Sequence, residues 1–283
     1  MSENLKQLYQ IQKALKETDY YDISRISREI QEYCNKKNIS PTLVLRRIKI
    51  GEPWDYIRGE SEFHGNRFLL NRKTLIPRPE TEQMVDIALS FLKDNHNYKN
   101  IIDIGTGSGC IIISLAKILE NKDGFTFTGI DIDSEALKIA KKNAMLHKIN
   151  KKVSFLKGNL LKGIKLEDGT LIIANLPYIP ESIYKKLDRS VVNFEPKGAL
   201  LGGKNGLKYY KRLISQIKKA CEKDTSLDIA LLIEIEPSTL ENLRKVLGNR
   251  KTKAIKDYRG LDRFVLVSPV LREQRLEFAP YLL

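Results

Sequence analysis

The 283 residues carry 49 Lys and Arg against 35 Asp and Glu, a formal net charge of +14, with 42% hydrophobic and 30% charged residues. That is the composition of a globular protein and excludes a disordered chain; no apolar run approaches the roughly 18 to 20 residues that span a bilayer. The first twenty residues mix charges into every turn and lack a signal peptide's apolar core, so a cytoplasmic location is expected. Cys34, Cys110 and Cys221 are widely spaced and form no CxxC, which reads as three reduced thiols. With His64, His96 and His147 equally scattered, no metal site is expected. The positive charge suits a partner that is, or works beside, nucleic acid. It suits a lysine-rich bias equally well, because the basic residues are spread along the whole chain.

In chain order, Leu5, Leu8, Ile11 and Leu15 recur at helical spacing, and Ile23, Ile26, Ile30 and Tyr33 repeat the pattern. Ser40 as a cap, Pro41 at the first helical position and Gly51 beyond the last turn bound a third helix. Between Glu52 and Thr74, Pro53, Gly59 and Gly65 punctuate short segments, a connector carrying a hairpin. From about Thr81, helices and strands alternate. Strands are expected at Asn100–Ile104, Phe125–Ile130, Val153–Lys157, Thr170–Ala174, Ile229–Ile235, Lys253–Lys256 and Arg263–Ser268. Helices are expected at Glu82–Lys93, Cys110–Leu119, Ser134–His147, from about Gly206 to Cys221, and Pro237–Leu247. The fold class is therefore α/β, a doubly wound, mostly parallel seven-stranded sheet behind a small N-terminal helical domain. The expected boundaries are 1–60 for the helical domain, 61–80 for the hairpin connector and 81–283 for the Rossmann-like domain.

Asp103-Ile104-Gly105-Thr106-Gly107-Ser108-Gly109 stands where the first strand of the sheet feeds a helix. Glycines there let the backbone approach a ligand closely. The spacing does not fit the dinucleotide fingerprint GxGxxG. It matches instead the D/E-x-G-x-G-x-G pattern of S-adenosylmethionine sites, with Asp103 toward the methionyl ammonium. Asp131 closes the second strand, where a carboxylate can accept from both ribose hydroxyls, the helix cap being left to Asp133 or Ser134. Asn159, with Leu160 beside it, follows the third strand and can accept from an adenine amino group through its amide oxygen.

Asn175-Leu176-Pro177-Tyr178 follows the apolar strand Thr170–Ala174, at the carboxyl end where ligands of parallel sheets bind. The motif suits methyl transfer to a planar nitrogen, whose delocalised lone pair makes it a poor nucleophile. The Asn175 side-chain oxygen and the Leu176 carbonyl can bind its two hydrogens, orient it and stabilise the positive charge that develops. Tyr178 can stack on the planar group, and Pro177 stiffens the turn. Asn175, Pro177 and Tyr178 are thus the catalytic candidates, and Asn175–Tyr178 the substrate-binding ones. Asp103, Gly105, Thr106, Gly107, Ser108, Gly109, Asp131, Asn159, Leu160 and Asn175 are the candidates to hold the cofactor.

These motifs do not stand alone. Gly51-Glu52-Pro53, Tyr56-Ile57-Arg58-Gly59 and Glu62-Phe63-His64-Gly65 are joined by Thr74-Leu75-Ile76-Pro77-Arg78-Pro79-Glu80-Thr81-Glu82, then Phe194-Glu195-Pro196 with Ala199-Leu200, and Gly202-Gly203 through Gly206-Leu207 to Tyr209-Tyr210. In this order, from Gly51 to Ser268, the chain resembles the HemK/PrmC family of protein-(glutamine-N5) methyltransferases. The resemblance implies S-adenosylmethionine as cofactor and the glutamine of the GGQ motif of class I peptide-chain release factors as methyl acceptor. It also implies that residues 74–82 lie beside the cofactor, that the N-terminal helices help to hold the release factor, and that the work is done near ribosome or RNA, with no membrane. Leu176 stands where that family usually has proline, and NLPY is also the motif of ribosomal-RNA adenine dimethyltransferases. An adenine-N6 methyltransferase acting on RNA or DNA is therefore the alternative, and a non-catalytic binding module the third reading.

Overall fold

The computed structural model describes residues 3–18, 22–248 and 250–269. The sequence offers no reading for the tail from Pro269 to Leu283, and residues 270–283 of it lie outside the described residues. Three helices open the chain: α1 (Glu3–Leu15), α2 (Ile23–Lys37) and α3 (Pro41–Lys49). The Ser40 hydroxyl caps α3 by accepting from the Thr42 N–H, as the sequence predicts. Ile11, Leu15, Ile26, Ile30, Cys34, Val44 and Ile48 pack with Trp54 and Ile57 into a core of their own. Leu5, which the helical spacing assigns to the same face, is 54% exposed, although Gln31 of α2 donates to the Asn4 carbonyl beside it.

The connector holds more structure than its punctuation suggests. A one-turn helix, α4 (Trp54–Arg58), runs from Pro53 to Gly59 and is too short to show periodicity. The hairpin follows as β1 (Glu60–Phe63) and β2 (Asn66–Leu69), antiparallel. Glu52 ties it to the helices, accepting from Arg47 at 2.7 and 2.8 Å and from Arg72 at 2.7 Å. Its side chain is buried and the Arg47 bond holds its carboxyl below the ordinary value of 4.5. The stabilisation is accordingly present above that value and lost as pH falls through the depressed native one. Glu52→Ala is expected to cost about 2 kcal/mol, since bonds to charged groups contribute about 1.5–3. Thermal melting at pH 7 should show a fall of about 5 °C that vanishes in acid.

The remaining elements are α5 (Pro79–Asp94), β3 (Asn100–Ile104), α6 (Cys110–Ile118), β4 (Thr126–Asp131), α7 (Ser134–Leu146), β5 (Val153–Lys157), β6 (Thr170–Ala174), α8 (Glu181–Tyr184), α9 (Arg189–Phe194), α10 (Lys197–Leu200), α11 (Lys208–Lys223), β7 (Ile229–Glu234), α12 (Leu240–Leu247), β8 (Thr252–Lys256) and β9 (Asp262–Val267). Helix α5 begins at Pro79, three residues before the sequence expectation, because proline at a first helical position is already set for the helix. The helix expected at Pro237–Leu247 opens with a 3₁₀ turn, Pro237–Thr239, ahead of α12. The sequence does not predict the short helices α8, α9 and α10; at four to six residues they carry no readable period.

The seven strands form one sheet in the order β5-β4-β3-β6-β7-β9-β8. All pairings are parallel except those of β9, which runs against β7 and β8. One face is covered by α5, α6 and α7, with Met84, Ile112, Ile113 and Leu115 in the core there. The other is covered by α11 and α12, through Leu213, Ile214, Ile217 and Leu243. Among the described residues no helix is long and apolar enough to cross a membrane.

Candidate active site at the sheet's switch point

The strand order reverses between β3 and β6, and ligands of such sheets bind beyond the carboxyl ends at that point. Ile104 and Ala174 are register partners there, so the turn after β3 and the turn after β6 emerge side by side. Between them opens a cavity of about 320 Å³, within the range for small-molecule sites. Its wall includes Gly105–Ser108, Asp131, Asn159, Leu160, Asn175, Leu176 and Pro177, candidates drawn from four separate strand ends.

The turn after β3 requires its glycines. Gly105, Gly107 and Gly109 have φ of +75°, +55° and +81°, a left-handed region that side chains disfavour. At Gly109 a Cβ would also meet Ile113 Cδ1 at 2.9 Å and Ala140 Cβ at 3.2 Å, where α6 closes on α7. Asp103 is buried beneath this turn and does not line the cavity. Its Oδ2 accepts from the Thr106 hydroxyl at 2.7 Å, while its Oδ1 has no hydrogen-bond partner. Desolvation pushes the carboxyl up to about 7, and the charge of Asp131 adds to that; the Thr106 bond opposes it.

Asp131 accepts from the Gly107 N–H and the Asp133 N–H, both at 2.9 Å. The helix cap falls to Asp133, which accepts from the Glu135 N–H, so Asp131 keeps its remaining lone pairs for the cavity. Burial raises its pKa. Asn159 Oδ1 already accepts from Arg212 at 3.0 Å, so an amino group there would share that oxygen's second lone pair. Leu160 adopts φ of +57°, a strained conformation for a branched side chain, at the cavity wall.

At the reacting end, both donors of the Asn175 amide are engaged. Its Nδ2 donates to Glu234 Oε2 and to Thr81 Oγ1, each at 3.1 Å. A carboxylate can only accept, so the amide nitrogen faces Glu234 and Oδ1 is left for a ligand. The Tyr178 hydroxyl donates to Glu234 Oε1 at 2.8 Å, and burial with that neighbouring charge holds its pKa far above the ordinary value. Tyr178 does not itself line the cavity; its hydroxyl is turned to Glu234. The Leu176 N–H donates to the Tyr210 hydroxyl at 3.2 Å, whose single proton goes to the nearer Glu234 carbonyl, so the Leu176 carbonyl keeps its acceptor capacity. The Leu176 side chain is buried and reaches to 3.0 Å from where a Cβ on Gly105 would lie, filling the space beneath the glycine turn.

Lys73, Leu75, Pro77, Arg78 and Thr81 line the same cavity, so the 74–82 segment shares a wall with the glycine turn and Asn175. Arg78 donates to buried Glu195 at 2.5 Å, and Glu195 also accepts from the Ile76 N–H at 3.3 Å, so the Phe194-Glu195-Pro196 segment clamps residues 76–78. The sequence reading misses Glu234, Thr81, Tyr210 and Asn143. Asn143 holds the Leu69 backbone and the Ser108 carbonyl from the last turn of α7. Tyr210 and Thr81 lie inside recognised motifs. For Glu234 the one signal is an acid ending an otherwise apolar strand.

The model of a methyltransferase domain family matches residues 95–275. Curated relatives named release factor glutamine methyltransferase include one from Fusobacterium nucleatum, 36% identical and covering 89% of this chain and 69% of its own. One from Enterococcus faecalis is 34% identical, covering 78% of each chain. Among solved structures, the hMettl16 catalytic domain in complex with a MAT2A 3′UTR hairpin is similar at a TM-score of 0.53 and 17% identity, covering 77% of this chain and 90% of that one, a likeness of fold alone. On the extent and identity of these matches, the chain belongs to the release factor glutamine methyltransferase family.

Proposed function

We propose that this protein transfers a methyl group from S-adenosylmethionine to the side-chain amide nitrogen of the glutamine in the GGQ motif of class I release factors, in the cytoplasm. The names of its relatives support the substrate, and the observation that carries the chemistry is the Asn175 amide, whose nitrogen is bound from behind. When bound, S-adenosylmethionine supplies an activated methyl with its own leaving group. The chain's part is to hold the acceptor. Asn175 Oδ1 and the Leu176 carbonyl bind the two N–H groups of the glutamine amide and direct its nitrogen at the methyl position. They also favour the positive charge that develops on that nitrogen, which then sheds one proton as the neutral secondary amide re-forms. Pro177 fixes the turn and Tyr178 braces it.

The residues present fit the cofactor. The glycine turn offers backbone at close range, Asp131 has free lone pairs, and Asp103 Oδ1, buried beneath the turn and outside the cavity wall, is an unpartnered acceptor whose field favours a cation bound above it. Residues 1–60 are assigned to release-factor recognition, 61–80 to the connector and 81–283 to transfer; the +14 charge suits a partner that works near the ribosome and its RNA. The test is incubation with a release factor, ribosomal RNA and labelled S-adenosylmethionine. Label in the release factor is the expected result; label in RNA alone would replace this reading with adenine methylation.

Asp103 makes the cofactor site pH-sensitive. Its folded-state pKa of about 7 lies above the ordinary 3.8, so the free protein holds a proton that the unfolded chain has released, and stability falls as pH rises through that window. A bound ammonium favours the ionised form and reverses this. At pH 6.5, calorimetry in two buffers of different ionisation enthalpy should show proton release on cofactor binding. Asp103→Asn should abolish the release; a wild type that binds without releasing protons would contradict the assignment.

A further inference from the structure

We infer that Glu234 is the positioning residue for methyl transfer: its carboxylate sets which way round the Asn175 amide stands. This rests on the reading of Asn175 given above and extends it to a residue outside the motif. Glu234 ends β7, the strand beside β6, and Ala174 pairs with Ile233, so the side chain arises next to the catalytic turn. It is 1% exposed, at the end of a strand buried at every position, where an isolated carboxylate would be costly. Three donors meet it: Tyr178 Oη at 2.8 Å on Oε1, with Thr81 Oγ1 at 2.7 Å and Asn175 Nδ2 at 3.1 Å on Oε2.

An asparagine amide is nearly symmetric in shape and can present either its oxygen or its NH₂ to a ligand. With NH₂ forward it would meet the acceptor amide's hydrogens donor to donor, and the nitrogen could not be held. An acceptor-only group behind it removes that alternative. Because the same carboxylate receives the Tyr178 hydroxyl, both polar side chains of the motif are set by one group. Burial raises its pKa, and the Thr81 and Tyr178 hydroxyls with the charge of Arg263 oppose that; in its ionised form its charge also lies behind the point where positive charge develops on the acceptor nitrogen. A glutamine at this position would preserve the shape and remove both the acceptor-only character and the charge.

The test uses Glu234→Gln, Asn175→Asp and the double variant. In Asn175→Asp two carboxylates face one another. In the double variant the amide introduced on β7 can donate to the carboxylate introduced after β6, restoring a bonded pair with one acceptor oxygen toward the substrate. Glu234→Gln is expected to lower kcat about tenfold while KM for the release factor and cofactor Kd stay within about twofold. The double variant is expected to exceed Asn175→Asp in kcat at least tenfold. A second readout does not depend on the acceptor. In the ¹⁵N spectrum, the Asn175 side-chain NH₂ pair, identified by its loss in Asn175→Asp, should be shifted and protected from exchange in the wild type and return toward the free-amide position in Glu234→Gln. An Asn175 amide signal unaltered by Glu234→Gln overturns the proposal whether or not the release factor is methylated. So does a double variant no more active than Asn175→Asp where the wild type transfers. Failure of the wild type alone to methylate a release factor would instead count against the substrate.

Discussion

Asn175→Ala is expected to lower kcat for methyl transfer about a thousandfold or more while leaving cofactor affinity within about twofold of the wild type. The expectation comes from geometry. In the proposed function Asn175 supplies one of two acceptors for the amide hydrogens, and removing one preorganised partner of a transition-state charge costs about 10²–10³ in rate. Loss of orientation adds to this, since the lone pair of a planar nitrogen has to be directed at the methyl carbon. In the proposed function the cofactor is held by the glycine turn, Asp131 and the wall at Leu160, which line the cavity together with Asn175, so its binding does not depend on Asn175 alone. The fold is spared because the side chain's own partners, Thr81 and Glu234, remain bonded to one another at 2.7 Å. Single-turnover kinetics with equilibrium binding of the cofactor separate the two effects. Equal losses in both would assign Asn175 to cofactor binding instead.

Gly206→Ala is the second large expected effect, about a hundredfold in kcat, from a residue that does not line the cavity. The loop at Gly202–Gly206 lies backbone to backbone against the catalytic turn. A Cβ on Gly202 would meet the Pro177 carbonyl at 2.6 Å, and one on Gly206 would collide with the Tyr178 carbonyl. Gly206 also has φ of +74°, so alanine is strained there whatever space is made. The least disruptive response is for the turn at 175–178 to shift, and a displacement of about 1 Å at a reacting group is worth about 10²-fold. Kinetics with a far-ultraviolet spectrum check this: the expectation is native helix content with depressed turnover. Wild-type turnover would mean that the close approach is not needed for catalysis.

These two residues show what is legible in the sequence. Asn175 can be placed because the apolar run 170–174 reads as a buried strand, whose carboxyl end is where chemistry belongs in a parallel sheet. The glycine turn and Asp131 can be placed in the same way, and the strands Asn100–Ile104, Val153–Lys157 and Thr170–Ala174 fall where expected to the residue. Gly202 and Gly206 are recognisable as part of a motif, yet their reason is not, since it depends on which backbone lies opposite. Glu234 and Asn143 are illegible for a related cause. Glu234 acts on groups 56 to 153 residues away in sequence and Asn143 on groups 35 to 74 away, distances no local pattern spans. Asp103 shows the intermediate case. Its position is read from the motif, but its burial beneath the turn and its tie to Thr106 emerge only from packing. The missed helices α4 and α8–α10 are shorter than two turns and owe their form to neighbours, not to propensity.

The most direct test follows the acceptor nitrogen itself. A release factor labelled with ¹⁵N at its glutamine side chains is incubated with the protein and S-adenosylmethionine, and its amide signals are followed by NMR. The GGQ glutamine should lose its NH₂ pair and gain a single N–H coupled to one new methyl, with no change when Asn175→Ala replaces the wild type. A methyl on any other atom of the release factor, or an unchanged rate with Asn175→Ala, would contradict the account.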